Sequence, residues 1–180
     1  RYRDAAVSGI RELLGMERGV AIPDVVDAER VGTTVAADSL TQSKHDRVAL
    51  LLQDDPDPDG VASAIALRTV MGRNRSTTPL FAFGRTTRAE NLAMLRLLDV
   101  GVEIATTETL RSFPCIALLD VQPPYFGERL PHAEIVIDHH PRVENVDVPY
   151  CDLRTSYGAT STILVEYLEA SGCDVSQRLA

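Results

Sequence analysis

The segment Val48-Ala49-Leu50-Leu51-Leu52-Gln53-Asp54-Asp55-Pro56-Asp57-Pro58-Asp59-Gly60 sets an unbroken apolar run directly against a run of carboxylates broken by two prolines. Residues 48–52 have the length and β-branched/aliphatic content of a strand buried on both faces. From Gly60 to about Met71 the period changes, and Ser63, Ala66, Leu67, Val70 and Met71 fall on one helical stripe. Working outward, further apolar strands are expected at residues 80–83, 102–105, 116–119 and 135–137. A helix spaced by Asn91, Met94, Leu95 and Leu98 lies between two of them, and Leu164, Val165 and Leu168 mark a last one. Short buried strands alternating with helices predict an α/β fold of three layers, a mostly parallel sheet with helices on both faces.

Composition agrees with one packed domain. The chain has 180 residues, 44% of them hydrophobic and 24% charged, which supplies a core and excludes wholesale disorder. A formal charge of −8 argues against binding duplex nucleic acid by bulk charge. No apolar run reaches the ~20 residues that cross a bilayer, and no signal segment opens the chain, so no membrane partner and a cytoplasmic setting are expected. Cys115, Cys151 and Cys173 form no Cys-x-x-Cys pair, which speaks against a disulfide framework or a thiolate zinc site. Lys44 is the only lysine among 18 basic residues.

Residues 1–46 are of mixed character, with Gly15, Gly19, Pro23 and Gly32 as breaks and a short amphipathic stripe (Val7, Ile10, Leu13, Leu14) over residues 4–14. They read as a connector or the tail of a preceding domain, and the opening arginine as the start of a cut-out. The compact unit is expected over residues 47–180.

Open parallel sheets bind ligands at the carboxyl ends of their strands. Three of those ends carry chemistry here: the Asp54–Asp59 carboxylates after the first strand, Asp120 after the fourth, and Asp138-His139-His140-Pro141 after the fifth. Carboxylate oxygens with imidazole nitrogens suit a hard-to-borderline divalent cation, manganese or magnesium more than zinc. Pro56 and Pro58 push Asp55 and Asp57 toward extended backbone. Alternate side chains of an extended segment stand on one side, roughly 7 Å apart. That separation suits two ions ~3.5–4 Å from one another. Asp59 is expected to cap the helix that follows.

Other acidic sites fail on spacing. Asp55-x-Asp57-x-Asp59-Gly60 copies the opening of an EF-hand loop, but Ala66 stands where a bidentate glutamate is required. Phosphatases of the haloacid-dehalogenase type and phospho-receivers both imply a later lysine, and none follows Lys44. Arg68, Arg73, Arg75, Arg85, Arg88 and Arg96 face only Glu90 over residues 68–96, a local excess that suits either a solvated helical face or a phosphate-steering rim. Thr160 and Ser161 suit a helix cap or a phosphate contact equally.

Taken with the Ser156-Tyr157-Gly158-Ala159-Thr160-Ser161 segment, these motifs resemble the DHH phosphoesterase superfamily, which includes RecJ-like exonucleases, nanoRNases and cyclic-dinucleotide phosphodiesterases. The resemblance runs from about residue 47 to the C-terminus. It implies that Asp57 and Asp59 each bind one manganese ion, with magnesium as the substitute. Asp120 would bridge the two ions, His139 would be a further ligand, and His140 would lie by the scissile phosphate. Catalysis would then rest on Asp120 and His140. Asp138 would orient the histidines, and Asp55 would support the cradle or add a ligand, as in RecJ-like members. Gln53 stands where many nanoRNases carry a metal-binding histidine. A later aspartate ligand and the smaller C-terminal substrate-gripping domain of the family would lie beyond Ala180.

The expectation is therefore a manganese-dependent phosphodiesterase acting by a two-metal mechanism on short oligonucleotides, dinucleotides or single-strand ends. Arg85, Arg88, Thr160 and Ser161 are the candidates for holding substrate phosphate. A homodimer is compatible with this reading. The alternative is a regulatory module that keeps the fold to sense a nucleotide without hydrolysing it.

Overall fold

The computed structural model describes residues 46–144 and 146–173. The helix expected over residues 4–14, and nearly all of the proposed N-terminal connector, lie outside the described residues. Six strands form one sheet: β1 (Ala49–Leu51), β2 (Leu80–Ala82), β3 (Val102–Ile104), β4 (Ile116–Leu119), β5 (Ile135–Asp138) and β6 (Tyr150–Leu153). Their spatial order is β3-β2-β1-β4-β5-β6, and every pairing is parallel. Among the described residues four helices accompany them: α1 (Pro58–Val70), α2 (Ala89–Leu97), α3 (Thr107–Arg111) and α4 (Thr160–Ala170). Two short 3-10 turns, Pro123–Tyr125 and Gly127–Arg129, follow β4.

The strand pleat divides the core in two. Val48, Leu50 and Leu52 point to one face with Ala117, Leu119, Ile135 and Ile137, where they meet Val61, Ala64, Leu67 and Val70 of α1 and Ile163, Leu164, Tyr167 and Leu168 of α4. Ala49 and Leu51 point to the other with Ile116, Leu118 and Val136, where Phe81, Leu110, Phe113 and Phe126 cover them. Burial on both faces is why β1, β2 and β4 read as continuous apolar runs rather than alternating ones. Among the described residues no helix is long and apolar enough to cross a membrane.

Three elements depart from the sequence expectation, the first being the short helix α3, for which the sequence reading placed nothing between β3 and β4. β6 was not anticipated: Tyr150-Cys151-Asp152-Leu153 is half-buried throughout and carries an aspartate, so it lacks the apolar signature of an inner strand. The α1 boundary also moves. Asp57, not Asp59, is the N-cap, its carboxylate accepting from the Gly60 amide at 3.0 Å, with Pro58 in the first helical position. Asp57 and Asp59 are thus not alternate residues of one extended strand. The first caps α1 and the second sits in its first turn.

The strand order places the topological switch between β1 and β4, where the chain leaves the centre of the sheet in opposite directions. The β1–α1 and β2–α2 loops press together beside it. A Cβ built on Gly84 would lie 2.3 Å from the Asp54 carbonyl oxygen, so the two backbones approach as closely as a residue without a side chain allows. The Gly84→Ala variant is expected to lose about 2 kcal/mol or more of stability, because backbone rather than a flexible side chain must move. Urea denaturation of the two proteins checks this, and equal midpoints would show that the loops part without cost.

Candidate metal centre

The strand ends on either side of the switch bring the sequence-predicted carboxylates and imidazoles together. Asp120 follows β4 with φ of +61°, a left-handed conformation that aspartate tolerates better than most side chains. Its amide donates to the Ile137 carbonyl at 3.0 Å, and its side chain is 2% exposed. Asp59 reaches from α1 to the start of α4. Its Oδ2 accepts from the Thr160 amide and its Oδ1 from the Ser161 amide, both at 2.8 Å. Ala159, the residue that would cap α4, offers no side-chain acceptor, so a carboxylate from another helix does the capping. The first turn of α1 lies against Asp120: a Cβ built on Gly60 would be in ordinary contact with Asp120 Cβ and Asp57 Oδ1, at 3.7 Å each.

The histidines are fixed by what stands behind them. His139 Nδ1 lies 3.1 Å from the Tyr157 carbonyl oxygen. A carbonyl can only accept, so Nδ1 carries the proton and the Nε2 lone pair points the other way. There it faces Asp120 Oδ1 at 3.6 Å and Asp59 Oδ2 at 3.8 Å. His140 Nδ1 lies 2.8 Å from Asp138 Oδ1 and 3.7 Å from Asp120 Oδ1, and its side chain is 53% exposed. Asp138 is fully buried and also accepts from the His139 and His140 amides, so it orients the His140 ring and holds the backbone of both histidines.

Charge accumulates where these groups meet. Burial, reinforced by the charges of Asp59 and Asp57, pushes the Asp120 carboxyl up to about 7 against the hydrogen bond from Thr160. Burial acts on Asp59 in the same sense, but the donors Ser161 and Thr160 outweigh it and hold that carboxyl below its ordinary value. The His140 imidazole is pulled down by burial and raised more strongly by Asp138 and Asp120, for a net upward shift. One ligand atom from each of Asp120, His139 and His140 falls within 4.8 Å of the others. This oxygen-and-nitrogen donor set is of a kind that could hold a divalent cation.

Several expected roles are different in the structure. Asp55 is turned to the neighbouring loop, where Thr87 Oγ1 donates to its Oδ2 at 2.8 Å and the Thr87 amide to its Oδ1 at 3.0 Å; it holds the loop and is not part of the cluster. Arg88 lies 3.7 Å from the same carboxylate. Thr160 is no phosphate contact: it is fully buried, and its hydroxyl donates to Asp120 Oδ1 at 2.8 Å. The Ser161 amide is taken up by Asp59. The arginine excess is largely dispersed, with Arg68 on the Thr78 carbonyl, Arg73 on the Asp46 carbonyl and Arg75 paired with Asp99. Arg85 is exposed in the loop after β2.

Gln122 went unnoticed in the sequence and is central to the arrangement. Its buried amide donates to Asp138 Oδ2 at 2.6 Å and to the Pro141 carbonyl at 3.1 Å, while its Oε1 accepts from the Val143 amide at 3.0 Å. It therefore clamps the loop after β5 to the carboxylate that holds the backbone of both histidines. The only hint in the sequence is a glutamine two residues beyond a strand-end aspartate.

No family model matches the chain. An uncharacterized protein of Methanocaldococcus jannaschii is 32% identical over 140 residues, covering 77% of this chain and 29% of that protein. The chain thus spans less than a third of the length of that relative. Among solved structures, an exopolyphosphatase-related protein from Bacteroides fragilis superposes with a TM-score of 0.55 at 11% identity, over 84% of this chain and 46% of the other. That likeness establishes the fold, a parallel α/β sheet flanked by helices.

The raised Asp120 carboxyl has a stability consequence with a definite sign. An acid raised in the folded state and ordinary (3.8) in the unfolded state is proton-bound only in the fold between those values, so stability is lost as pH rises through the interval. In metal-free protein, Asp120→Asn keeps the acceptor for Thr160 and removes the buried charge. Its melting temperature is expected to exceed that of the unmodified chain by an amount that grows from about pH 4 to about pH 7 and then levels off. A gap that is absent at every pH would mean that Asp120 carries no such burden.

Proposed function

We propose that this chain carries a divalent-cation-dependent phosphoesterase centre in which Asp57, Asp59, Asp120 and His139 hold the ions. The observation that carries the reading is the convergence of the His139 Nε2 lone pair on two carboxylate oxygens at 3.6 and 3.8 Å. Three electron-rich atoms aimed at one point repel unless a proton or a cation lies between them. Manganese, with magnesium as the alternative, matches the mixed carboxylate and imidazole donors. A pair of such ions, when bound, supplies a nucleophilic water at neutral pH and polarises a phosphoryl oxygen.

The remaining residues support that chemistry by position. His140 is the most exposed of the cluster, with Nδ1 held by Asp138, so its Nε2 is available to contact a scissile phosphate or pass a proton to the leaving oxygen. The substrates we infer are short: dinucleotides, oligonucleotides or single-strand ends, because the acidic chain offers little charge for gripping a long polymer. Inorganic polyphosphate joins the substrates to be tried, because the Bacteroides fragilis neighbour is an exopolyphosphatase-related protein. A second reading, a nucleotide-sensing module without hydrolysis, is favoured by the commitments of the carboxylates. Asp57 caps α1 and both oxygens of Asp59 already accept amides, which lowers their reserve for ions.

The two readings separate in one assay. With manganese and bis(p-nitrophenyl) phosphate, linear di-adenylate, cyclic di-AMP or polyphosphate, the enzyme reading expects turnover that falls at least ~100-fold in Asp120→Ala and in His139→Ala. Saturable nucleotide binding by the unmodified protein with no release of product from any substrate would favour the sensor instead.

A further inference from the structure

Behind the centre lies a second cluster of charged and hydroxyl groups that the proposed chemistry does not use. Arg154, 14% exposed, follows β6 and forks onto Asp152, with Nε at 2.9 Å from Oδ1 and Nη2 at 2.9 Å from Oδ2. Its Nη1 pairs with Glu166 on α4 and lies 3.4 Å from the Tyr157 hydroxyl, which itself donates to Glu166. The Tyr167 hydroxyl donates to Asp152 at 2.7 Å and also pairs with the Tyr150 hydroxyl. The guanidinium lies 5.4 Å from the Tyr157 ring centre.

What this cluster grips is the turn from Arg154 to Tyr157, closed by the Tyr157 amide on the Arg154 carbonyl at 3.0 Å. That turn supplies the Tyr157 carbonyl to His139 Nδ1 and leads directly into Thr160 and Ser161, which hold Asp59 and Asp120. The Arg154 amide further donates to the Asp138 carbonyl at 3.0 Å, tying the turn to the residue just before His139. One short segment therefore stands behind three of the four proposed ion-holding side chains.

We propose that Arg154, acting with Glu166 and the Tyr157 hydroxyl, is a positioning residue that fixes the tautomer of His139 through the Tyr157 main-chain carbonyl. Its effect on ions rests on the metal-centre reading above; its effect on the tautomer does not. A carbonyl held at hydrogen-bond distance selects the Nδ1-protonated form and leaves Nε2 as the ligand atom, and partners of this kind typically change metal affinity 10–100-fold. Lysine would keep the charge but not the planar fork that satisfies Asp152 and Glu166 together.

The test uses the 180-residue chain and three variants: Arg154→Met, Arg154→Lys and Tyr157→Phe, the last removing a single hydroxyl in case the methionine variant does not fold. Nitrogen-15 spectra of the metal-free proteins, recorded where histidine is neutral, report the His139 tautomer. A titration with manganese alone reports affinity. The unmodified chain is expected to show one Nδ1-protonated form. Tyr157→Phe and Arg154→Met are expected to show mixed tautomers and at least ~10-fold weaker manganese binding, with Arg154→Lys between them and the unmodified chain. Folded variants with the unmodified tautomer and unchanged affinity overturn the proposal. If the unmodified chain binds no manganese, the metal reading falls while the nitrogen spectra still decide the role of Arg154.

Discussion

Asp59 belongs to one helix and caps another. Its carboxylate lies in the first turn of α1 and accepts the two leading amides of α4, a helix that brings no acceptor of its own. Through that bond the two helices on one face of the sheet are joined at their N-termini, where both macrodipoles present positive ends. The same bond holds the Thr160 hydroxyl against Asp120 and keeps Asp59 ionised despite burial. A helix-capping interaction and a carboxylate cradle are thus one structure, and neither can be altered without the other.

The interior of the sheet was legible because burial on both faces leaves a continuous apolar run with nothing to confuse it, as at Ile116–Leu119 and Ile135–Asp138. β6 escaped because an edge strand answers to its neighbours: Asp152 is held by Arg154, two residues on, and by Tyr167 of α4. Strand-end position alone points to the carboxylates of Asp54–Asp59, to Asp120 and to Asp138–His140 as groups, since the switch point gathers strand ends; the choice of Asp57, Asp59, Asp120 and His139 among them rests on the family resemblance. The division of labour among them could not be read. Whether Asp57 or Asp59 caps α1 depends on one turn of backbone, and Pro58 in the first helical position moves that start upstream.

The same limit explains Asp55, Thr160 and Gln122. Each is a polar side chain whose partner is distant in sequence: Asp55 with Thr87, Thr160 with Asp120, Gln122 with Val143. Composition and spacing reveal that such a group is near a site, not whether it faces the ligand or the scaffold. Burial decides it here, because the Thr160 hydroxyl is shut away from solvent while the His140 side chain is half exposed.

The closeness of Gly84 to the Asp54 carbonyl bears on how the molecule can diverge. Two loops that share a surface with no side chain between them drift as one, so an insertion after β2 is felt at once in the segment leading to Asp57.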